Sequence, residues 1–189
     1  MIEIENFRLY SANELNRLGY SSNSLTDLTR QKAITRLQRG FYIIDDEFDE
    51  LELIIQLFPE SILCLNSALY YYGYLQTKPR EYAVAVDKSH NRNKYRHNSL
   101  PLKAYFRDDK YIRLGLHQSS YRGRTINIYD RERTICDCIR RKNLLDHQTY
   151  QAAIKGYVGD TAKDINRLLT YASILKIQKK VELIMEAWL

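Results

Sequence analysis

The chain has 189 residues, of which 44% are hydrophobic and 28% charged, and it carries a formal net charge of +6. With only 7 glycines and 3 prolines, this composition excludes collagenous, linker-dominated and disordered chains and is typical of one large folded domain or two small ones. No apolar run approaches the roughly 18 residues of a membrane span, and the N-terminal MIEIENFRLY carries early acids instead of a secretory signal. We therefore expect a soluble cytoplasmic protein without a membrane partner.

The cysteine pattern argues against a metal centre. Cys64, Cys136 and Cys138 are odd in number, which suits a reducing compartment. Cys136 and Cys138 fall in a predicted helix, where positions two apart point to well-separated faces. The four histidines are isolated from one another in the sequence. We expect free thiols, no bound metal and no cofactor.

Charge is distributed unevenly along the chain. Residues 1–60 carry 6 basic and 11 acidic side chains, whereas residues 78–142 carry 17 basic and 7 acidic ones. A basic surface attracts polyanions, although it also serves solubility alone. The basic side chains that we expect on this surface are Lys88, Arg92, Lys94, Arg96, Arg122, Arg124 and Arg140.

The first elements along the chain are two short helices. Ser11 and Glu14 form a capping box for a helix that stops at Gly19. Ser21 or Ser22 begins a second helix that runs to about Gln31. Two short helices joined by a tight glycine-containing turn are typical of a helix-turn-helix.

A basic hairpin follows the second helix. Beta-branched and aromatic residues flank the turn at Gly40, so residues 33–44 are predicted to form two paired strands. Helix, turn, helix and hairpin make a winged helix. With Leu25 and Leu28 inward, the side chains that we expect to contact bases or phosphates are Asn23, Ser24, Thr26, Asp27, Arg30, Gln31, Arg36 and Arg39. A protein-docking module would have the same shape.

The N-terminal segment departs from a full winged helix. Residues 1–10 show no helical pattern, and Ile2 and Ile4 alternate with Glu3 and Glu5 as in a short strand. We expect a first domain over residues 1–48, trimmed of its first helix, and a second domain over residues 49–189.

The remaining elements predict a larger mixed domain ending in helices. Helices are expected over residues 51–58 and 61–73, strands over 81–87, 102–106, 112–116 and 125–129, a polar loop over 88–98, and helices over 130–142, 147–158, 161–171 and 174–189. In the helix over 130–142, Arg133 and Asp137 are four residues apart, a spacing at which their side chains can form an ion pair. They lie on the side of the helix opposite Ile135 and Ile139. The fold class is α+β: an N-terminal winged helix-turn-helix followed by a mixed α/β domain.

No catalytic constellation is recognised in the sequence. There is no G-x-x-x-x-G-K motif and no G-x-G-x-x-G motif. Asp87, Asp130 and Glu132 come closest to a nuclease set, but no acid is spaced with a lysine on a second strand. We expect no catalytic residues and no enzyme activity.

Three segments together resemble the AbiEi antitoxin family. They are the hairpin sequence Arg36-Leu37-Gln38-Arg39-Gly40-Phe41-Tyr42, Ser67-Ala68-Leu69 followed by the VAV strand, and Glu132-Arg133-Thr134 with Asp137. The match extends over nearly the whole chain in the same order. The E-R-T-x-x-D element is its most specific part.

The resemblance implies an antitoxin and transcriptional autorepressor of a type IV toxin–antitoxin (phage abortive infection) operon. The first domain would bind inverted-repeat promoter DNA, as a monomer or weak dimer, with Tyr42 and the second helix from Ser22 added to the contacts. The second domain would counteract a nucleotidyltransferase-like toxin without a stable complex. Glu132, Arg133 and Asp137 would be structural or antitoxic. The alternative is a module that binds no DNA and whose basic surface docks an acidic partner.

Overall fold

The computed structural model describes residues 9–44, 48–96, 99–107 and 110–187. The chain divides into two compact units. The first consists of Met1–Pro59 and Asn91–Pro101, and the second of Glu60–His90 and Leu102–Leu189. The first unit is thus longer than the predicted domain over residues 1–48, because it includes a further helix and a segment from the middle of the chain.

Helices and strands both occur in the described residues, so the α+β class is confirmed. In chain order the elements are β1 (Tyr10–Ser11), α1 (Ala12–Arg17), α2 (Ser22–Arg30), β2 (Thr35–Gln38), β3 (Phe41–Ile43), α3 (Glu50–Leu57), β4 (Ile62–Leu63), α4 (Leu65–Tyr71), β5 (Tyr82–Asp87), α5 (Arg92–Arg96), β6 (Leu102–Arg107), β7 (Leu116–Tyr121), β8 (Arg124–Tyr129), α6 (Arg131–Arg140), α7 (His147–Gly159), α8 (Ile165–Ile174) and α9 (Gln178–Glu186).

The first unit combines α1 and α2 with a small antiparallel sheet. Its strand order is β1-β3-β2, and Tyr10 of β1 pairs with Tyr42 of β3. The buried cluster of this unit includes Leu15 of α1, Leu25 of α2 and Ile34 beside β2. Both predicted helices and the hairpin are confirmed as elements. The strand predicted at Ile2 and Ile4 lies outside the described residues.

The second unit is built on a five-stranded mixed sheet with the order β6-β5-β4-β8-β7. Strands β5 and β6 are parallel, as are β4 and β8, whereas β4–β5 and β7–β8 are antiparallel. Helix α6 contacts α4, α7, α8 and α9, and one buried apolar cluster includes residues of all these helices and of the sheet. The core of this unit therefore surrounds α6.

Two predicted elements are wrong. The helix expected from Ser61 is preceded by β4, because Ile62 and Leu63 pair with Ala85 and Val84 of β5. The strand expected over residues 112–116 is a turn in which Gly115 adopts a φ of +72°, and the strand begins only after it. A left-handed backbone angle interrupts strand pairing.

Other elements differ from their predicted boundaries by a few residues. The polar loop over residues 88–98 contains the short helix α5. Helix α8 begins at Ile165, since Asp164 caps it by accepting a hydrogen bond from the Arg167 amide at 2.9 Å. Helix α9 begins at Gln178 instead of residue 174. Among the residues described here, no helix is long and apolar enough to cross a membrane.

Candidate functional site

The turn between α1 and α2 is fixed by two local caps. The Ser11 Oγ accepts a hydrogen bond from the Glu14 amide at 3.2 Å, and the Glu14 carboxylate accepts one from the Ser11 amide at 2.8 Å. Gly19 adopts a φ of +94°, which costs little without a Cβ. The Ser21 Oγ then accepts from the Ser24 amide at 3.1 Å. These caps set where the second helix begins and which face it exposes.

The outward face of α2 is polar. Leu25 is buried, while Asn23, Asp27 and Arg30 are exposed, as the helical spacing predicts. Arg30 Nη1 lies 3.4 Å from Asp27 Oδ1, and the two side chains are 78% and 62% exposed. A pair this exposed contributes little stability, so Arg30 can exchange Asp27 for another acceptor at small cost.

The hydroxyl groups of α2 are used mainly within the helix. The Oγ atoms of Ser21 and Ser24 lie 2.8 Å apart, and the Thr26 Oγ1 donates to the carbonyl oxygen of Ser22 at 3.0 Å. Ser22, Thr26 and Gln31 are exposed, whereas Ser24 is half-buried. Asn23 and Arg30 are therefore the side chains of this helix best suited to contact a duplex.

The β2–β3 hairpin carries two exposed arginines. Gly40 adopts a φ of +82° at its turn, and the strand register shifts between Arg36 and Gln38. Arg36 and Arg39 are both exposed. The hairpin thus presents positive charge in the same compact unit as α2.

Tyr42 requires a correction. It was expected to contact DNA, but its side chain is only 9% exposed and belongs to the buried cluster with Leu25 and Ile34. Alternation along β3 places Tyr42 on the inward side of the small sheet. Tyr42 therefore packs the first unit.

The basic residues of α5 also belong to the first unit. Arg92 and Arg96 are exposed, whereas Lys94 is half-buried with its Nζ 5.2 Å from the centre of the Phe58 ring. The Phe58 ring stacks on that of Tyr95 at 4.7 Å. Lys94 thus covers an aromatic pair as well as carrying charge.

Four expected basic residues are exposed in the second unit: Lys88, Arg122, Arg124 and Arg140. Arg122 and Gly123 both have positive φ, at +49° and +78°, and form the turn between β7 and β8. Two consecutive positive φ values are typical of the type I′ hairpin turn. Arg122 and Arg124 therefore lie at an exposed hairpin tip.

Glu132, Arg133 and Asp137 require a second correction. They were expected to be structural or antitoxic, with Arg133 and Asp137 on the side of the helix opposite Ile135 and Ile139, but the relative exposures of the three are 2%, 0% and 0%. The polar pattern of α6 placed them in solvent, whereas the helix is surrounded by α4, α7, α8 and α9. Of the two expected roles, structural or antitoxic, burial favours the structural one.

Asp137 lies between two buried guanidinium groups. Its Oδ2 is 3.4 Å from Arg107 Nη2, and its Oδ1 is 3.4 Å from Arg133 Nε. Arg133 Nη1 also donates to the carbonyl oxygens of Tyr111 at 2.7 Å and Leu114 at 3.0 Å. The expected Arg133–Asp137 pair therefore exists, but inside the protein.

Arg107 was not among the predicted site residues. It ends β6 and is 4% exposed. The predicted strand stopped one residue earlier, so a charged residue at the carboxyl end of a parallel strand went unnoticed. Such ends are where ligands bind in open α/β sheets, and that position was the available signal.

Glu132 fixes the connection between α7 and α8. Its Oε1 accepts hydrogen bonds from the Asp164 amide at 2.9 Å and the Tyr157 hydroxyl at 3.3 Å. Burial, followed by the nearby Glu132 charge, raises the pKa of Tyr157. Arg167 Nη1 lies 3.8 Å from Glu132 Oε2. The carboxylate therefore has its partners within the fold.

The three cysteines are buried and unpaired with one another. Burial raises the pKa of Cys64 from an ordinary 9.0 to about 12, and that of Cys136 to about 12. Thiols held in this state are poor nucleophiles and poor metal ligands. In the described part of the chain, no group of three or more His, Cys, Asp or Glu residues could hold a metal ion.

The chain matches no protein-family model, and no curated protein is significantly similar to it.

Proposed function

We propose that the protein binds promoter DNA through its first unit, as a winged helix-turn-helix, and represses its own operon. The observation that carries this proposal is the solvent-exposed face of α2, with Asn23, Asp27 and Arg30, in one compact unit with a hairpin that exposes Arg36 and Arg39. An α-helix fits the major groove of B-DNA, and arginines beside it suit phosphates or the adjacent minor groove.

The residue types on α2 favour sequence-specific binding over general phosphate binding. An arginine contacts guanine with two hydrogen bonds, and an asparagine contacts adenine in the same way. Asp27 repels phosphates, but its carboxylate accepts a hydrogen bond from the cytosine amino group. A surface meant only for phosphates would gain nothing from an acid beside Arg30, so base contacts explain α2 better.

The antitoxin part of the proposal rests on the resemblance to the AbiEi family. In that scheme the protein belongs to a type IV toxin–antitoxin (abortive infection) operon, and its second unit counteracts a nucleotidyltransferase-like toxin without a stable complex. The first unit binds inverted repeats as a monomer or weak dimer. The protein acts in the cytoplasm, without cofactor or enzyme activity.

Binding to the upstream region of its own operon tests the DNA-binding part. Fluorescence anisotropy compares a labelled duplex from that region with a scrambled duplex of the same composition, between about 50 and 200 mM salt. The expected result is preference for the natural duplex and an affinity that falls steeply with salt, because neutralised phosphates release counterions.

Three variants distinguish base contacts from phosphate contacts. Arg30→Ala should weaken binding to the natural duplex by about 1–3 kcal/mol and reduce the preference. Arg39→Ala should weaken both duplexes and lower the salt slope by about 1. Arg113→Ala, which removes an exposed arginine from the second unit, is the matched control.

A protein-docking module is the second candidate function. Arg122 and Arg124 at the β7–β8 turn are exposed and could meet an acidic partner. In that case the natural duplex binds no better than the scrambled one, and Arg30→Ala and Arg39→Ala match Arg113→Ala. That result would contradict the assignment of the first unit as a DNA-binding winged helix.

A further inference from the structure

Around Asp137 in the second unit, arginines outnumber carboxylates among the residues that the structure describes. We define the arginine cluster as Arg107, Arg133 and Arg141 with Asp137. Arg107, Arg133 and Asp137 are 4%, 0% and 0% exposed, and Arg141 is half-buried. Among the described residues, Asp137 is the carboxylate that contacts both Arg107 and Arg133. The cluster therefore has an excess of positive charge.

All four charged groups of the cluster affect the pKa of Cys64. After burial, the charges that act on its pKa are Arg107, Arg141 and Arg133, which lower it, and Asp137, which raises it. Arg141 shows the same grouping, since its pKa is lowered first by burial and then by the Arg107 charge. The geometry agrees with this grouping, because Arg107 Nη2 lies 3.4 Å from Asp137 Oδ2 and the Arg141 amide donates to the Asp137 carbonyl oxygen at 2.9 Å. Arg107 and Arg141 therefore both lie beside Asp137, with Arg141 one helical turn further along the chain.

Several donors of the cluster lack an acceptor. Arg107 Nε and Nη1 and Arg141 Nε are buried atoms without a hydrogen-bond partner. On Arg133, Nη1 donates to two backbone carbonyls, whereas Nη2 is also buried without a partner. Arg133 Nε lies 3.4 Å from Asp137 Oδ1 as an ion pair, and neither atom has a hydrogen bond. We consider the donors of Arg107 and Arg141 for a ligand, because the Tyr111 and Leu114 carbonyls and Asp137 already hold Arg133.

Burying charged donors without acceptors is costly, and the cost is relieved by a ligand that brings acceptors and negative charge. Asp137 already uses its Oδ2 on Arg107 Nη2. Three donor nitrogens without acceptors on two separate guanidinium groups suit a tetrahedral oxyanion better than a planar carboxylate, which matches a single guanidinium face. The excess charge suits a dianion.

Arg141 is the member of the cluster that reaches solvent. It follows the last residue of α6 and is half-buried, although its Nε is a buried atom. An anion bound between Arg107 and Arg141 needs to displace neither Asp137 nor the carbonyls held by Arg133.

We propose that Arg107 and Arg141 form a binding site for a phosphate group, either as the free ion or on a nucleotide. The three unmet donors hold its oxygens, and Asp137 fixes the far side of Arg107. The site lies in the second unit, and the proposal does not depend on DNA binding by the first.

Calorimetric titration of the full chain with inorganic phosphate tests the site. The ionic strength is kept constant with sodium chloride, and thermal unfolding is followed in parallel. Saturable binding and a rise in Tm with phosphate are expected, because a ligand that binds only the folded state stabilises it. Parallel titrations with a nucleoside monophosphate and with the nucleoside alone distinguish the two sources of the phosphate group.

Three variants connect the binding to the cluster. Arg107→Met and Arg141→Gln should each weaken phosphate binding by about tenfold or more, since each removes charge-assisted donors. Arg140→Gln, the exposed neighbour on α6, is the control and should bind as the wild type does. If Arg107→Met does not fold, phosphate binding by Arg141→Gln is sufficient to test the site.

Tighter binding of the monophosphate than of inorganic phosphate, with no binding of the nucleoside, assigns the site to a nucleotide. Tighter binding of inorganic phosphate assigns it to the free ion, and equal binding shows that the site recognises the phosphate group alone. Absence of saturable binding of either phosphate compound, or wild-type binding by Arg141→Gln, would overturn the proposal.

Discussion

Replacing Asp137 by asparagine should destabilise the protein strongly. The change keeps the shape of the side chain but removes a negative charge that lies 3.4 Å from both Arg107 and Arg133. At an effective dielectric constant of about 20, each pair represents roughly 5 kcal/mol of attraction before desolvation is counted. Breaking a buried ion pair from one side costs about 3–5 kcal/mol net. For a chain of this size, the expected fall in Tm is about 6–20 °C.

Urea denaturation and calorimetry in phosphate-free buffer measure this loss, since an added anion would compensate for the missing carboxylate. Asp146→Asn is the matched control. Asp146 is exposed and caps α7, accepting a hydrogen bond from the Thr149 amide at 2.8 Å. Asparagine caps a helix as well as aspartate does, so stability should change by less than about 0.5 kcal/mol. Asp137→Asn within about 1 kcal/mol of the wild type would refute the interpretation of Asp137 as the charge that balances the arginines.

Three further predictions follow from buried or strained positions. Tyr42→Phe should bind promoter DNA like the wild type because the ring packs internally; a large loss would restore Tyr42 as a DNA contact. Gly115→Ala should lower the free energy of unfolding by about 1–3 kcal/mol or more, since φ is +72° and a Cβ would lie 2.4 Å from Arg133 Cβ; an unchanged urea midpoint contradicts this packing. Stability should fall as pH rises from about 9 to about 12, because unfolded thiols ionise near 9.0 while folded Cys64 keeps its proton to about 12; urea melts across that range that show no decline disprove it.

The local signals of the first unit were sufficient to predict its elements. Ser11 and Glu14 mark one helix start, Ser21 marks the next, and Gly40 marks the hairpin turn. Each depends on hydrogen bonds or backbone angles within a few residues. Sequence spacing also predicted the exposed face of α2, because Leu25 identifies the inner side.

The errors came from contacts between distant segments. Strand β7 has a mostly polar sequence and is largely exposed, so its partner β8, and not its own pattern, determines that it is a strand. Strand β4 has two residues and is defined by pairing with β5 and β8.

Helix α6 illustrates the same limit for the candidate site. Polar spacing predicts that Arg133 and Asp137 face solvent. They are buried because the second unit surrounds α6 and supplies Arg107 and the Tyr111 and Leu114 carbonyls as partners. The spacing along α6 predicts the Arg133–Asp137 pair, but it cannot predict partners that come from distant parts of the chain.

DNA binding by the first unit is tested most directly by an amide chemical-shift map of the isotope-labelled protein, titrated with the duplex from upstream of its operon. The largest changes are expected in α2 (Ser22–Arg30) and at residues 36–40 of the hairpin, with smaller ones for a scrambled duplex. Changes confined to the second unit, or identical for both duplexes, would contradict this expectation.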